Sequence, residues 1–311
     1  MDRNLALEFV RVTEAAAIAA AEWIGRGDRN GADGAAVDEM RDRFNQIEFR
    51  GRIVIGEGSK DEAPELYTGE KVGRGKGPAI DLAVDPLECT TSVADGLPNA
   101  ISVIASAPRG ALLSAPDTYM QKIAAGPRAK KAIKFDAPVT HIIQKVARAL
   151  DKKRSDVSVA VLDRPRHEKL IADVRKAGAR VKLFTDGDVS AAVATCLPDS
   201  GIDLLMGTGG STEAVLAAVA VKLLGGEILS RFNPPNEKHA GLVKRARLNT
   251  KKIYTANDMA KGNMLAFTAT GIMEGFLLRG VKFTQSGAVT HSMVIRGQSG
   301  TIRYIETHHG Y

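Results

Sequence analysis

The sequence predicts an α/β protein, and three observations carry that reading. From residue 157 onward, short apolar runs alternate with helical patterns. Residues 157–162, 181–185 and 203–206 read as strands, and 168–177, 189–196 and 212–224 read as helices. Such alternation implies a mostly parallel sheet in the C-terminal half. Residues 79–84 form an apolar run that stops at Asp85-Pro86, the pattern of a buried strand end. From Met264 the chain breaks into MLAFTATGI, VKFTQSG, AVTHSMVIRGQSG and TIRYIETHH, which read as antiparallel strands with glycine turns.

Taken in order, residues 3–25 place Leu5, Phe9, Val12, Ala16, Ala19 and Trp23 at three- and four-residue steps, a helical stripe ended by Gly25 and Gly27. Gly31 and Gly34 then bracket Asp33, which has the chemistry of an N-cap for a second helix running to Phe44. Residues 52–57 read as a strand whose end carries Glu57 between two glycines, on residue chemistry alone an exposed loop acid. Residues 69–77 form a Gly/Lys-rich connector, expected to be a mobile surface loop. Beyond the strand at 79–84 come Asp85, Glu88, Thr90 and Thr91, with the two threonines placed to open a helix. Residues 100–107 and 111–113 read as paired strands around the Pro108-Arg109-Gly110 turn, and 138–151 as a helix. The polar stretch 151–156 suggests a boundary, giving an N-terminal α+β part at 1–153 and a C-terminal part at 154–311, with the strands from about 264 returning to the first. Residues 226–262 are polar and basic, and Pro234-Pro235 marks a surface excursion.

Composition narrows the function. The chain has 311 residues, 44% hydrophobic and 25% charged, a soluble globular balance. No apolar run approaches the ~18 residues of a membrane span, and the N-terminus lacks a signal-peptide core. A net charge of +7 raises the question of nucleic acid, but the basic residues are spread out and aromatics are only 5%, too few for a stacking platform. Steering of an anionic substrate is the better use of that charge. The two cysteines, Cys89 and Cys196, fit a reducing cytoplasm better than a disulfide framework.

Chemistry concentrates just past strand ends, where α/β folds bind ligands. Asp85 and Glu88, three residues apart across a turn, can point at one hard cation such as Mg²⁺ or Mn²⁺. The competing reading is a turn and a helix cap. In the second half, three successive strand ends carry Arg164-Pro165-Arg166, Asp186-Gly187-Asp188 and GTGGSTE, which includes Gly210 and Glu213. The last matches neither G-x-G-x-x-G nor a Walker loop. His291, His308 and His309 receive no role.

The run DPLECT resembles D-P-x-[DE]-G-[ST], the signature of the lithium-sensitive, metal-dependent sugar and inositol phosphatases, with Cys89 at the glycine place. With GRGD-x-N-x-ADGAAV, IVIGEG followed by DEAP-x-LY-x-GE, and GTGGSTEA against G-x-G-G-x-P-E-G, the chain resembles the class II fructose-1,6-bisphosphatases, the GlpX-type family, along nearly its whole length. Arg29 stands where many members have Lys, and Thr212 and Ala214 replace a Pro and a Gly. The resemblance implies a layered α-β-α-β-α sandwich with its site between the halves. It makes Asp33, Glu57, Asp85, Glu88 and Glu213 ligands of two or more Mg²⁺ or Mn²⁺ ions, which two-metal phosphatases hold ~3.5–4 Å apart. Thr90, Glu57 and Asp61 become the catalytic group, with Asp61 behind Thr90 and Glu62 left as a helix cap. Glu88, Cys89 and Thr90 surround the reacting phosphate. Tyr119, Arg164, Pro165, Arg166, Asp186, Gly187, Asp188 and Gly210 become the remaining substrate contacts, the arginines anchoring a second phosphate. The implied reaction converts fructose 1,6-bisphosphate to fructose 6-phosphate and phosphate in gluconeogenesis, with sedoheptulose 1,7-bisphosphate as a second substrate in some members. A homo-oligomer, dimer or tetramer, is the expected assembly. Two other functions fit less of the pattern: a phosphatase for another sugar or inositol phosphate, and a non-catalytic sugar-phosphate-binding homologue.

Overall fold

The structure, a computed structural model, describes residues 5–57 and 66–310. It separates into two compact units, one made of Met1–Ser114 and Ala260–Tyr311, the other of Ala115–Met259. The division thus falls at 114/115 and 259/260, and not at 153/154, because a strand at 119–125 pairs with strands of the second unit.

Helix α1 (Leu5–Ala21) buries Phe9, Val12, Ala16 and Ala20, and α2 (Arg29–Phe44) adds Ala36, Met40 and Phe44 to the same core. Phe9 meets Phe44 and Phe49 edge to face at 5.7 and 5.5 Å, contacts worth ~0.5–1.5 kcal/mol per pair beyond buried area. Helix α2 begins earlier than the glycines around Asp33 suggest. Its N-cap is Asp28, whose carboxylate accepts the Gly31 N–H at 2.9 Å. The fully buried Ala32 and Ala36 hold the first turn in place, so Asp33 lies inside the helix and caps nothing.

Strand β1 (Arg50–Ile55) pairs antiparallel with β2 (Lys71–Val72), a two-residue strand inside the connector that reads as pure loop in the sequence. On its other side β1 runs parallel to β3 (Ala79–Glu88). Strand β3 does not stop at Pro86. It continues to Glu88 through a bulge, where its register against β4 (Ile101–Pro108) shifts between Asp85 and Glu88. A bulge tolerates a residue that lacks an N–H. The short α3 (Thr90–Asp95) follows directly. Residues 111–113 form no hairpin with β4; Leu112 instead bridges Ala260. Asp81, fully buried on β3, fixes this region. It accepts from Arg52 at 2.9 and 3.0 Å, from Arg109 at 3.2 Å and from the Gly110 N–H at 2.6 Å. A buried carboxylate is stable only when paired in this way.

The second unit opens with β5 (Tyr119–Ala125) and α4 (Val139–Leu150). There follow β6 (Ser158–Leu162), α5 (Glu168–Lys176), β7 (Arg180–Phe184), α6 (Asp188–Ala194), β8 (Leu204–Gly210) and α7 (Ser211–Leu223). Residues 226–262 are more ordered than their polarity suggests: β9 (Glu227–Phe232), α8 (Glu237–Arg245) and α9 (Ala256–Met259) lie there. The sheet order is β7-β6-β8-β5-β9. Strand β6 is parallel to β7 and β8, while β5 is antiparallel to β8 and β9, so this sheet is mixed and only its first three strands are parallel. Val159, Val161, Leu204 and Ile123 pack against Ile142, Val146, Ile171 and Val174 of α4 and α5. These contacts hold the C-terminal ends of the three parallel strands at one edge.

The chain then returns to the first unit with β10 (Ala266–Gly271), β11 (Lys282–Thr284), β12 (Gly287–Arg296) and β13 (Thr301–Gly310). Among the described residues this sheet has the order β11-β12-β10-β4-β3-β1-β2, with β13 on β12. Helix α1 is tied to it by Glu14, buried, which accepts from Thr307 at 2.7 Å and Thr290 at 3.3 Å. Both units are therefore mixed α/β structures. No described helix is long and apolar enough to cross a membrane.

Candidate active site

The strand ends of the second unit build a pocket. A cavity of about 190 Å³ is lined by Tyr119, Leu162, Arg164, Arg166, Asp186, Gly187, Asp188, Gly209, Gly210 and Glu213. Seven of the residues read as substrate contacts stand in that wall, and Pro165 lies between two of them. The sheet register explains the convergence. Tyr119 at the start of β5 pairs with Gly210 at the end of β8, and β6 and β7 end on the same side.

Each side chain is held by its neighbours. Arg166 lies over the Tyr119 ring at 5.0 Å and donates from Nε and Nη2 to the Thr208 carbonyl at 3.1 and 2.9 Å. Arg164 faces Asp186 across 3.6 Å. Gly187, with φ 64, turns the chain into α6. Asp188, the first residue of that helix, is already engaged by a cation. Both of its oxygens accept from Lys122 Nζ, at 2.6 and 2.7 Å, and both residues are buried. Burial pushes the Asp188 carboxyl up, against the pull of the Lys122 ammonium. Neighbouring carboxylates crowd the end of β8. A β-carbon on Gly209 would stand 2.1 Å from Asp188 Oδ2, and one on Gly210 would stand 1.8 Å from Glu213 Oε2. Thr212, in the place of the motif proline, donates to Glu213 Oε2 at 2.7 Å.

The first unit carries four of the five carboxylates. The Ile55↔Ala83 pair joins β1 and β3, and two residues further along each strand come Glu57 and Asp85. Asp85 accepts the Leu87 N–H at 3.1 Å across the bulge, and Glu88 is buried at the end of β3. Asp33 sits on α2, which packs on β3 and α3, and burial raises its carboxyl above the ordinary range. Among the described residues, no group of three or more His, Cys, Asp and Glu stands gathered closely enough to hold a metal ion. The donor set still suits a hard divalent cation. It is all oxygen, and in Asp33 it includes a half-buried carboxyl whose charge a nearby cation would favour. Asp61 and Glu62 lie outside the described residues.

Cys89 has φ 80 and ψ 52, the left-handed conformation that a motif glycine would take freely. It is buried, and its Sγ–H donates to the Asn99 carbonyl at 3.4 Å. The Thr90 hydroxyl donates to the Leu87 carbonyl at 3.3 Å. Two residues that sequence reasoning passed over stand beside the pocket: Lys122, paired with Asp188, and His167, buried behind Arg166. Lys122 did leave a signal, since at two-residue steps it shares the inward face of β5 with Met120 and Ala124, and a charge at such a position needs a partner.

The family model described as bacterial fructose-1,6-bisphosphatase, glpX-encoded, matches residues 3–309. The chain is 44% identical, over 99% of its own length and 96% of the other, to fructose-1,6-bisphosphatase 1 class 2 of Escherichia coli strain K12. The same figures hold for the fructose-1,6-bisphosphatase class 2 of Shigella flexneri. A solved structure described as an extragenic suppressor from Pyrococcus furiosus aligns with a TM-score of 0.31 and 12% identity over 60% of this chain and 68% of that one, too slight a likeness to bear on the fold or the site. On the match across residues 3–309 and the 44% identity, this chain belongs to the glpX-encoded family of bacterial fructose-1,6-bisphosphatases.

Proposed function

We propose that this protein is a metal-dependent phosphatase that removes the 1-phosphate of fructose 1,6-bisphosphate, giving fructose 6-phosphate and phosphate in gluconeogenesis. The observation that carries this reading is the pocket wall, in which Tyr119, Arg164, Arg166, Asp186 and Gly210 stand together on strand ends of the second unit. A sugar bisphosphate needs a second anion anchor, and a guanidinium suits phosphate through several hydrogen bonds at once. Arg166 keeps Nη1 for that purpose, beyond the two donors bound to Thr208. Asp186 accepts from sugar hydroxyls, and Tyr119 donates to phosphate. Asp188 acts indirectly, by holding Lys122 and the turn at Gly187.

Asp33, Glu57, Asp85 and Glu88 hold the divalent cations, Mg²⁺ or Mn²⁺, and Glu213 is the fifth ligand the motif implies. When bound, such ions lower the pKa of a water and screen the leaving oxygen. The chain's own groups orient the phosphoryl. The Thr90 hydroxyl and the first N–H groups of α3 face it, at the positive end of the helix. The resemblance gives Asp61 the part of steadying Thr90. Sedoheptulose 1,7-bisphosphate, similar in both phosphates, is a second substrate. The two cysteines, neither of them in a disulfide, support a cytoplasmic setting. Assembly as a dimer or tetramer rests on the resemblance, and light scattering decides it.

The anchor is tested by Arg166→Ala. KM for fructose 1,6-bisphosphate should rise by a factor equivalent to ~1.5–3 kcal/mol, the range for a hydrogen bond to a charged group. Hydrolysis of a small monophosphate should change little. An equal loss on both substrates would contradict the assignment.

A further inference from the structure

His167 has no part in the chemistry above, yet it is only 3% exposed and its ring joins two elements of the pocket. Its Nδ1 lies 2.8 Å from the Leu162 carbonyl at the end of β6, and its Nε2 accepts the Thr208 N–H of β8 at 2.7 Å. An Nε2 that faces a donor cannot carry a proton, so the proton is on Nδ1 and the ring is neutral. The strand pairing shows why a side chain is needed here. Strand β6 pairs with β8 only at Val159↔Leu204 and Ala160↔Leu205. At Thr208 the ladder on that side has ended, and the imidazole supplies the acceptor that a strand would have supplied. The same residue, Thr208, offers its carbonyl to both Nε and Nη2 of Arg166, and Arg166 in turn lies over Tyr119. The ring also packs on Gly207, where a β-carbon would stand 3.1 Å from Nε2.

We propose that His167 is a positioning residue for the second phosphate: its Nδ1–H tautomer, anchored on the Leu162 carbonyl, holds the Thr208 N–H, fixes the backbone at Thr208 whose carbonyl receives Arg166, and so aims the Arg166 guanidinium into the pocket. The inference rests on the reading of Arg166 as the second-phosphate anchor. A histidine that merely filled the core would need the Leu162 bond and no more. The bond that matters for the proposal is the one to Thr208, and the two can be separated by mutation. In His167→Gln the longer amide reaches the position of Nε2 and can accept from Thr208. In His167→Asn the shorter amide reaches only the position of Nδ1, keeping a donor for Leu162 and losing Thr208.

The experiment measures kcat and KM separately for fructose 1,6-bisphosphate with both variants, alone and combined with Arg166→Ala. His167→Asn should raise KM roughly tenfold or more, the lower end for loss of a charged hydrogen bond, with kcat close to the original. His167→Gln should restore KM. In the Arg166→Ala background, His167→Asn should add nothing further to KM, because the group it aims is gone. Equal effects of Asn and Gln would overturn the proposal, and so would additive effects with Arg166→Ala. A fall in kcat at unchanged KM, whether from misfolding or from lost chemistry, overturns it as well. If Arg166→Ala alone leaves KM unchanged, the anchor reading itself has failed, and the role of His167 falls with it.

Discussion

At Cys89 the backbone holds a left-handed conformation that costs a residue with a β-carbon ~1–2 kcal/mol. Glycine would remove that cost, but it would also give up a buried thiomethyl group, worth ~1 kcal/mol, and a contact to Asn99. The two effects nearly cancel. Cys89→Gly should therefore shift stability by less than about 1 kcal/mol and leave kcat/KM equal or better, and Cys89→Ser should remain active. Denaturant unfolding and steady-state kinetics measure both. If Gly and Ser each abolish activity, the thiol has a chemical role that this account denies. The requirement for a positive φ was legible in the sequence, because a glycine belongs at that place in the motif. The Asp33 cap was not, because capping depends on where the buried Ala32 and Ala36 let the helix begin.

The end of β8 and the turn into α7 form the tightest element of the pocket. A β-carbon at Gly210 would fall on the Glu213 carboxylate, the flexible end of a half-buried side chain. Gly210→Ala should move that carboxylate at little cost to folding, so activity should fall steeply while the melting temperature shifts little. A large drop in melting temperature with activity per folded molecule intact would contradict this. His167 links this strand to the end of β6. Burial, then the charges of Arg166 and Arg164, hold its pKa below the ordinary 6.5, while the bond to Leu162 opposes them. The unfolded chain therefore binds more protons than the folded one in the window from 6.5 down to that lower value. The stabilisation is complete above the window and is lost as pH falls through it. Unfolding free energies should decline across mildly acidic pH, and His167→Gln should remove that part of the slope. An identical slope in both proteins would show that His167 does not titrate there. At this scale the strand-helix alternation of 157–224 was legible to within two residues, because each strand is a short apolar run closed by turn residues; the exception is β8, which runs through the glycines to Gly210 instead of stopping at Met206, because β5 pairs with it along that length. Strands β5 and β9 were not, since their places in the sheet depend on antiparallel partners distant in sequence. The strand through Pro86 escaped notice because only a bulge makes it possible.

Across the whole molecule, the first unit is built from both ends of the chain and the second is a continuous segment between them. Local patterns say little about that arrangement, which follows from β10 pairing with β4. The pocket residues were legible because they sit at strand ends with turn chemistry, whereas the partners of Lys122 and His167 were not, because they lie 66 and 41 residues away. The carboxylates of the first unit and the pocket of the second together make the central claim one of metal-dependent sugar-bisphosphate hydrolysis. The most direct test is phosphate release by the purified protein from a panel containing fructose 1,6-bisphosphate, sedoheptulose 1,7-bisphosphate, an inositol phosphate and sugar monophosphates, with Mg²⁺ or Mn²⁺ and with excess EDTA. One phosphate should be released from fructose 1,6-bisphosphate, with fructose 6-phosphate as product, no activity in EDTA and recovery when metal is restored. Full activity in excess EDTA, or no release from either bisphosphate with any divalent cation, would contradict that claim.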